Sequence, residues 1–205
     1  MMATHLEVMV EELSMEAFLR ALLPRLLGAH TTFEVYPSQG KADLLDKLPA
    51  RLRGYASWLP ESWRIVIVVD RDDDDCRALK ARMDGMAVQA NLCTRSGSSG
   101  QAWRVVNRIA IEELEAWYFG DWKAVREVYP RASDSIASKA PFRDPDAIAG
   151  GTWEAFERVL QPAGYFKSGL RKLEAARAIG ARLDPQGNRS RSFQVFRDAL
   201  LEAVA

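Results

Sequence analysis

The feature that most constrains the fold is a run of β-branched residues that ends in a cluster of acids. The run covers residues 64–69 and is apolar after its first residue, which is typical of a strand buried on both faces of a parallel sheet. Five aspartates follow it directly: Asp70, Asp72, Asp73, Asp74 and Asp75. Two like charges about 4 Å apart repel by roughly 4 kcal/mol at an effective dielectric near 20. The folded chain therefore needs something to offset this cluster, and a divalent cation would do so.

Strands and helices are predicted to alternate along the first part of the chain. Further strands are predicted at residues 5–10, 31–36, 87–93 and 103–111, and helices at residues 15–27, 44–59, 72–83 and 112–119. Alternation of this kind predicts an α/β fold with a parallel sheet of about four to five strands flanked by helices. From residue 121 onward the patterns are helical. We therefore expect an α/β domain over residues 1–120 and a helical portion over residues 121–205 packed on it.

Composition excludes several kinds of protein. The 205 residues are 48% hydrophobic, enough for a real core, and the formal net charge is +0, so no overall field attracts nucleic acid or an anionic membrane. Two cysteines and two histidines without metal-ligand spacing do not favour a zinc site. The apolar N-terminal stretch is interrupted by charges and lacks a basic leader. We expect reduced thiols, a cytoplasmic location and no membrane partner.

Acidic residues follow two of the predicted strands at the point where each strand ends. Glu11 and Glu12 follow the first strand, and Asp70 and Asp72 follow the run at residues 64–69. If these strands are parallel neighbours, the side chains converge beyond the carboxyl ends of the sheet, where open α/β folds bind ligands. An oxygen-only ligand set suits Mg²⁺ or Mn²⁺. Phosphoryl-transfer chemistry is the natural use of such a site.

The same residues resemble a known family pattern. The Toprim pattern consists of a Glu after a first strand and an Asp-x-Asp after a later strand. This chain has a similar arrangement, with Glu11 after Val10 and with Asp70 and Asp72 after the later strand. The wider chain resembles a bacterial Toprim-like family of unknown function (domain of unknown function family 4276), related to the Toprim domains of OLD-type nucleases, topoisomerases and primases. Two further segments carry this resemblance: residues 113–117 and 192–194.

The resemblance implies an activity, a cofactor and partners. Asp70 and Asp72 would hold Mg²⁺ or Mn²⁺, and Glu11 would be the general acid or base, or a metal ligand. The substrate would be nucleic acid, and an ABC-type ATPase would be the protein partner, because such families are often encoded beside these ATPases in what look like phage-defence systems. Toprim proteins commonly have Gly after the Glu, whereas this chain has Glu12. We favour Glu11 over Glu12 because Ser14 would then cap a helix that begins at Met15.

Glu115 borders the apolar stripe of its predicted helix, so its carboxylate needs a partner. An additional metal ligand and a partner of an arginine are equally good interpretations. Glu112 and Glu113 are interpreted as exposed acids of the first helical turn.

Other charged residues have plainer explanations. Asp73, Asp74 and Asp75 suit the first turn of the next helix, where the helix dipole favours acids by roughly 0.3 to 1 kcal/mol each. Lys41 lacks the spacing of a phosphate-binding loop and is interpreted as a surface lysine. A C-terminal set of basic residues could contact a nucleic-acid backbone, although solvated helix faces are the slightly favoured interpretation. This set comprises Lys167, Arg171, Lys172, Arg177 and Arg182.

Three functions are compatible with these features. The leading hypothesis is a Mg²⁺-dependent phosphodiesterase or nuclease that works with an ATPase. The alternative is a non-catalytic interaction subunit that keeps the Toprim fold, which the missing Gly after Glu11 supports. A phosphatase with Asp70 as nucleophile ranks last, because no matching later Lys motif follows.

Overall fold

Four parallel strands form the sheet of this protein, for which a computed structural model describes residues 2–98 and 102–205. They are β1 (His5–Val10), β2 (Thr32–Pro37), β3 (Trp63–Asp70) and β4 (Val105–Ala110). Their order across the sheet is β2-β1-β3-β4, and every neighbouring pair is parallel. The predicted α/β fold is confirmed, and the strand number lies at the lower end of the expected range.

Helices accompany the sheet on both faces. Within the described residues they are α1 (Leu13–Leu27), α2 (Lys41–Trp58), α3 (Cys76–Gln89), α4 (Glu115–Gly120), α5 (Trp122–Val128), α6 (Thr152–Leu160), α7 (Lys172–Gly180) and α8 (Arg191–Val204). Helices α1, α2 and α3 each connect consecutive strands, as parallel pairing requires. In the described part of the chain, no helix combines the length and the apolar character that crossing a membrane would need.

Successive residues of β3 enter two separate cores. Val66 and Val68 pack with α1 and the C-terminal helices, whereas Ile65, Ile67 and Val69 pack with α2 and α3. All five side chains are fully buried. Because both faces of the strand are covered, the sequence is continuously apolar there instead of alternating with polar residues.

The predicted strand at residues 87–93 is wrong. Residues up to Gln89 belong to α3, whose buried side chains Leu79, Met83 and Ala87 recur every four positions. A turn follows, and only Thr94 forms an isolated bridge to β4 through Val105. Apolar residues spaced four positions apart lie on one face of a helix, so these side chains are buried together only if the segment is helical.

A close contact between α1 and α7 anchors the C-terminal helices to the core that contains Val66 and Val68. A Cβ atom on Gly180 would lie 2.6 Å from the carbonyl oxygen of Phe18, so only glycine allows α7 to approach this closely. Arg25 near the end of α1 donates to the carbonyl oxygens of Gly180 and Leu183, at 3.3 and 2.9 Å. The two helices therefore end together, which brings the first residue of α7, Lys172, towards the start of α1. The division into domains at residue 120 stays a prediction.

Candidate active site at the strand ends

Glu11 and Asp70 meet at the carboxyl ends of two neighbouring strands. Strands β1 and β3 are adjacent, with Val10 opposite Val68, so the residues that follow them lie side by side. The backbone N–H of Asp70 donates to Oε2 of Glu11 at 3.2 Å. The juxtaposition expected from parallel strand ends is present. It involves Glu11, while Glu12 occupies the N-cap position of α1 and accepts a hydrogen bond from the Ser14 hydroxyl.

The role expected of Ser14 is wrong. Helix α1 begins at Leu13, and Glu12 in the N-cap position makes no side-chain capping bond. Ser14 is therefore inside the first turn, and its hydroxyl reaches back to Glu12. Serine hydroxyls bond locally in this way whenever a neighbouring acceptor is within reach.

Asp70 is a buried carboxylate with unused hydrogen-bonding capacity. It is 5% exposed, and its Oδ1 atom has no hydrogen-bond partner among the described residues. Burial, followed by the negative charges of Glu11 and Glu115, raises the pKa of Asp70 well above its usual value. A buried acceptor without a donor is costly, so Asp70 is poised to accept a proton or a cation.

Glu11 is a second buried carboxylate with a raised pKa. It is 7% exposed, and burial raises its pKa to about 7 although the Asp70 N–H works in the opposite direction. At neutral pH Glu11 therefore exchanges readily between its neutral and charged forms. A group of this kind suits either proton transfer or metal binding.

Glu115 joins the same electrostatic cluster from α4. It is the first residue of that helix and is 2% exposed, and burial raises its pKa to about 7 while the positive charge of Lys172 opposes the shift. Its negative charge also acts on Asp70. Among the described residues, no arginine is in an ion pair with Glu115, so the opposing charge is that of Lys172.

Lys172 is the positive group of the site. It lies at the start of α7, with Nζ 5.1 Å from the centre of the Trp153 ring. Burial alone would lower the pKa of Lys172, but the carboxylates of Glu115 and Glu12, followed by others nearby, raise it above its usual value. The interpretation of Lys172 as part of a solvated helix face is wrong, because α7 packs on α1 and directs its first turn to the strand ends.

Asp72 differs from Asp70 because its carboxylate forms an ion pair with a lysine. Its backbone has a positive φ of 48°, and its carboxylate lies 2.8 Å from Nζ of Lys41 at the start of α2. Lys41 also contacts Asp74 at 2.7 Å and the carbonyl oxygen of Arg71 at 2.9 Å. The interpretation of Lys41 as a surface lysine is wrong, since it neutralises two members of the acidic run.

The remaining acids of the run, Asp73, Asp74 and Asp75, differ in their position relative to the start of α3. Asp75 is the N-cap of α3, and its carboxylate accepts from the backbone N–H of Ala78 at 2.7 Å. The predicted helix start at residue 72 is therefore wrong by four positions, because Asp73 and Asp74 lie in the turn that precedes the cap. Of the three acids assigned to a first turn, only Asp75 stabilises the helix directly.

Glu112 and Glu113 also differ from expectation, because α4 begins only at Glu115. Glu112 forms an ion pair with Arg71. Glu113 accepts from the backbone N–H groups of Thr152 and Trp153, at 2.9 and 3.0 Å, and so caps the start of α6. Their interpretation as exposed first-turn acids is wrong, since tertiary contacts use both carboxylates.

A divalent cation fits this arrangement in a particular way. Over residues 2–98 and 102–205, no three acidic, histidine or cysteine side chains form a complete ligand group. Mg²⁺, however, usually keeps several waters and is held by one or two carboxylates together with substrate phosphates. The orphan oxygen of Asp70 and the neighbouring carboxylate of Glu11 supply this smaller set.

The sequence did not reveal the roles of two lysines or of one tyrosine. Lys41 and Lys172 reach the acids from distant parts of the chain, so no local pattern could reveal them. Tyr118 is fully buried without a partner for its hydroxyl in the described structure. Burial, followed by the charges of Glu115 and Asp70, raises its pKa well above the usual value. A signal existed only for Tyr118, which is three positions after Glu115 on the same helix.

The two sequence segments at 113–117 and 192–194 contact each other in the fold. The indole N–H of Trp117 donates to the Ser192 hydroxyl at 2.9 Å, and the Trp117 ring packs against Phe193 with centroids 5.3 Å apart. This contact fixes α4, which carries Glu115, against the start of α8. Segments nearly eighty positions apart thus support one end of the candidate site.

Comparison with solved structures finds similarity to C-terminal regions of OLD proteins. One is from Burkholderia pseudomallei, with 17% identity and a TM-score of 0.43, over 98% of this chain and 100% of that chain. Another is from Xanthomonas campestris pv. campestris, phased with platinum, with 15% identity and a TM-score of 0.40, over 98% of this chain and 95% of that one. No curated protein matches the chain. A family model matches residues 10–201, and the chain therefore belongs to the family described as Domain of unknown function (DUF4276).

Proposed function

We propose that this protein is a Mg²⁺- or Mn²⁺-dependent phosphodiesterase that acts on nucleic acid. The single observation that carries the proposal is the buried carboxylate of Asp70, with an unpartnered oxygen, beside Glu11 at the carboxyl ends of adjacent parallel strands. A cation would offset the charges that burial and mutual repulsion now disfavour. The resemblance of the same residues to the Toprim pattern agrees with this chemistry.

Each residue has a defined part in the proposed site. Asp70 and Glu11 would hold the cation, which when bound would neutralise phosphate charge and activate water. Glu115, with a pKa of about 7, suits proton transfer near neutral pH or a further ligand position. Lys172 would hold a phosphate oxygen and keep the charge of the carboxylate cluster in balance. Asp72, paired with Lys41, would act on the cation through the field it exerts on Glu11 and Asp70.

The test is cleavage of labelled DNA and RNA with Mg²⁺ or Mn²⁺, with and without the neighbouring ABC-type ATPase if one is encoded. Asp70→Asn should abolish the metal-dependent activity. Asp75→Asn is the matched control, because it removes one charge from the same acidic run while asparagine remains a good N-cap. Equal activity in the wild type and Asp70→Asn would refute the assignment.

A non-catalytic interaction subunit is the second candidate. It is favoured by two observations: the described residues contain no complete three-ligand group, and Lys41 already neutralises Asp72. Calorimetric titration with Mn²⁺ separates the two functions. Absence of binding, or binding unaffected by Asp70→Asn, would favour the interaction subunit with the ABC-type ATPase as its partner.

A further inference from the structure

A cavity lies between α2 and the strands β1 and β2, where β2 forms one edge of the sheet. The residues that α2 contributes belong to its second half, so the cavity is separate from Lys41 and the carboxylate cluster. Its volume of about 350 Å³ falls within the range of small-molecule sites. Three aromatic residues, two charged residues and a glycine line it: Tyr36, Tyr55, Trp58, Glu7, Arg51 and Gly54.

Glu7 is the anionic group of this cavity. It is 4% exposed, its Oε2 accepts from the Tyr55 hydroxyl at 2.6 Å, and its Oε1 lies 3.0 Å from Nε2 of His5. Among the described residues, neither a lysine nor an arginine forms an ion pair with Glu7, and His5 is a cation only when it is protonated. A buried carboxylate without a permanent cationic partner favours the approach of a positive charge.

The two tyrosines beside Glu7 are neutral phenols. Burial, followed by the charge of Glu7, raises the pKa of Tyr36, and burial, followed by the hydrogen bond to Glu7, raises the pKa of Tyr55. The rings therefore keep the negative faces of uncharged aromatic side chains, which attract cations. The carboxylate and the rings favour a ligand charge of the same sign.

Trp58 is an exposed ring that is held in place. It is 55% exposed, and its ring centroid lies 5.4 Å from that of Tyr55 and 5.8 Å from that of Trp63, which meets it edge-on. A ring fixed in this way loses little conformational freedom when a ligand binds. Beside it, a Cβ atom on Gly54 would meet no atom within 4 Å, so the cavity is open on that side.

Arg51 is the cationic group of the cavity. It is half-buried, lies one turn before Tyr55 on α2, and has no ion pair or hydrogen bond with any described residue. Its positive charge acts on Tyr55. A ligand that carried only a positive charge would be repelled by Arg51, whereas a ligand that also carried an anionic group would pair with it.

The hydrogen bonds of Glu7 indicate which kind of cation fits. A primary ammonium group has three donors to satisfy, but both oxygens of Glu7 already have partners and the Tyr55 hydroxyl donates its proton to Glu7. Ring faces are poor substitutes for these acceptors. A quaternary ammonium group has no N–H, so the rings and the charge of Glu7 can hold it without leaving a donor unsatisfied.

We propose that this cavity binds a zwitterion whose quaternary ammonium group lies among the rings of Tyr36, Tyr55 and Trp58 beside Glu7, and whose anionic group pairs with Arg51. Phosphocholine has this chemistry and serves as the probe. The zwitterion can be free in solution or can be the headgroup of a lipid. The site does not depend on a cation at Glu11 and Asp70, and it lies beyond the proposed phosphodiesterase function.

The test is calorimetric titration of the full chain in EDTA with phosphocholine, choline and the neutral analogue of choline in which carbon replaces nitrogen. The wild type should bind phosphocholine more tightly than choline and should not bind the neutral analogue. Trp58→Leu should weaken phosphocholine binding by about three- to thirtyfold, the range expected for one cation–π contact. Because Trp58 is exposed, this substitution should leave the fold intact.

Arg51→Met separates the two charges of the ligand. It should weaken phosphocholine binding by about tenfold, because the pair with the phosphate is lost. Choline should bind this variant at least as tightly as it binds the wild type, since a like charge has been removed. Arg53→Met is the matched control, because Arg53 is an exposed arginine on the same helix that does not line the cavity.

Gly54→Leu fills the cavity without removing any of its charges or rings. Leucine is favoured over glycine inside a helix, so the variant should fold and should lose phosphocholine binding. Asp70→Asn should bind phosphocholine like the wild type even if the phosphodiesterase proposal fails. Absence of saturable binding at millimolar phosphocholine, equal binding by the wild type, Trp58→Leu and Gly54→Leu, or equal binding of choline and its neutral analogue would overturn the proposal.

The source of the zwitterion is resolved by sedimentation of the protein with phosphatidylcholine vesicles. Sedimentation that free phosphocholine prevents and that Trp58→Leu abolishes would support the proposal with a lipid headgroup as ligand. Binding of phosphocholine without sedimentation would support it with the free zwitterion.

Discussion

Two groups of carboxylates in this protein have opposite surroundings. In the C-terminal helical region, Asp121 and Asp146 are surrounded by hydrogen-bond donors from the protein itself. At the strand ends, Glu11, Asp70 and Glu115 are at least as buried, but the described residues give them few hydrogen-bond donors. Burial therefore does not distinguish the groups, and the number of donors does.

Asp121 shows what a saturated carboxylate does. Its Oδ1 accepts from the N–H of Ala124 at 3.2 Å and caps α5, while its Oδ2 accepts from the N–H of Asp184 at 2.7 Å. A charge held by backbone donors on both oxygens stabilises the fold and has no capacity left for a ligand. Asp70, in contrast, keeps a buried oxygen without a partner in the described structure.

The largest expected effect on stability is that of Asp121→Ala. The substitution leaves two donors without acceptors and removes a helix cap, so we expect the free energy of unfolding to fall by about 3 to 4 kcal/mol. Urea denaturation monitored by circular dichroism measures it. Asp121→Asn, which keeps one acceptor oxygen, should lose less, and an equal loss in both variants would contradict the role given to the donors.

The buried carboxylates at the strand ends should make the metal-free protein less stable as the pH rises. The pKa of Glu115 is raised from 4.5 to about 7, so between these values the folded state binds more protons than the unfolded state. The free energy of unfolding therefore falls as pH rises through this window, by roughly 3 kcal/mol at most for Glu115. Glu11, with a pKa of about 7, adds a contribution of the same sign.

This pH dependence is measured by urea denaturation in EDTA at several pH values between about 3.5 and 8, a range that extends roughly one unit beyond the window from 4.5 to about 7. Glu115→Gln should flatten the curve, because the substituted side chain does not titrate. Saturating Mg²⁺ should stabilise the protein most at the alkaline end, where protons no longer compete. Parallel curves for the wild type and Glu115→Gln would be inconsistent with an unsaturated carboxylate at this position.

Asp70→Asn should stabilise the metal-free protein, the reverse of Asp121→Ala. Asparagine removes the carboxyl group whose ionisation is opposed by burial and by the charges of Glu11 and Glu115, so the free energy of unfolding should rise at alkaline pH by roughly 0.5 to 2 kcal/mol. Thermal denaturation in EDTA checks the sign. A clear loss of stability in Asp70→Asn would place Asp70 among the structural acids.

The position of the candidate site could be predicted from the chain, because it depends on where two strands end. The apolar run at 64–69 predicted β3 within one residue at each end, and adjacent parallel strands then required Glu11 and Asp70 to meet. The pattern at 87–93 misled, since the helical repeat of α3 extended into it.

The donors themselves could not be predicted. Lys41 reaches Asp72 across thirty-one positions, and Lys172 reaches the strand ends only because Gly180 allows α7 to pack closely on α1. Likewise, Glu113 caps a helix that begins almost forty positions later. Such contacts depend on tertiary packing, which leaves no local periodicity in the sequence.

Asp72→Ala should have the smallest effect. Its carboxylate is half-exposed, and pairs of this kind contribute about 0 to 1 kcal/mol, so stability should change by less than about 1 kcal/mol. Cleavage activity should fall less than in Asp70→Asn. The two variants are compared in the same denaturation and nuclease assays, and a larger loss of activity in Asp72→Ala would move the centre of the site to Asp72.

Binding of Mn²⁺ shows whether Asp70 is the centre of a cation site. Electron paramagnetic resonance of free Mn²⁺ is followed as protein is added at pH 7.5, for the wild type, Asp70→Asn and the control Asp75→Asn. We expect the wild type and Asp75→Asn to bind the cation, because Asp75 serves only as a helix cap, and we expect no binding by Asp70→Asn. Equal binding by all three proteins, or none by the wild type, would contradict the assignment of Asp70 as the centre of a cation site.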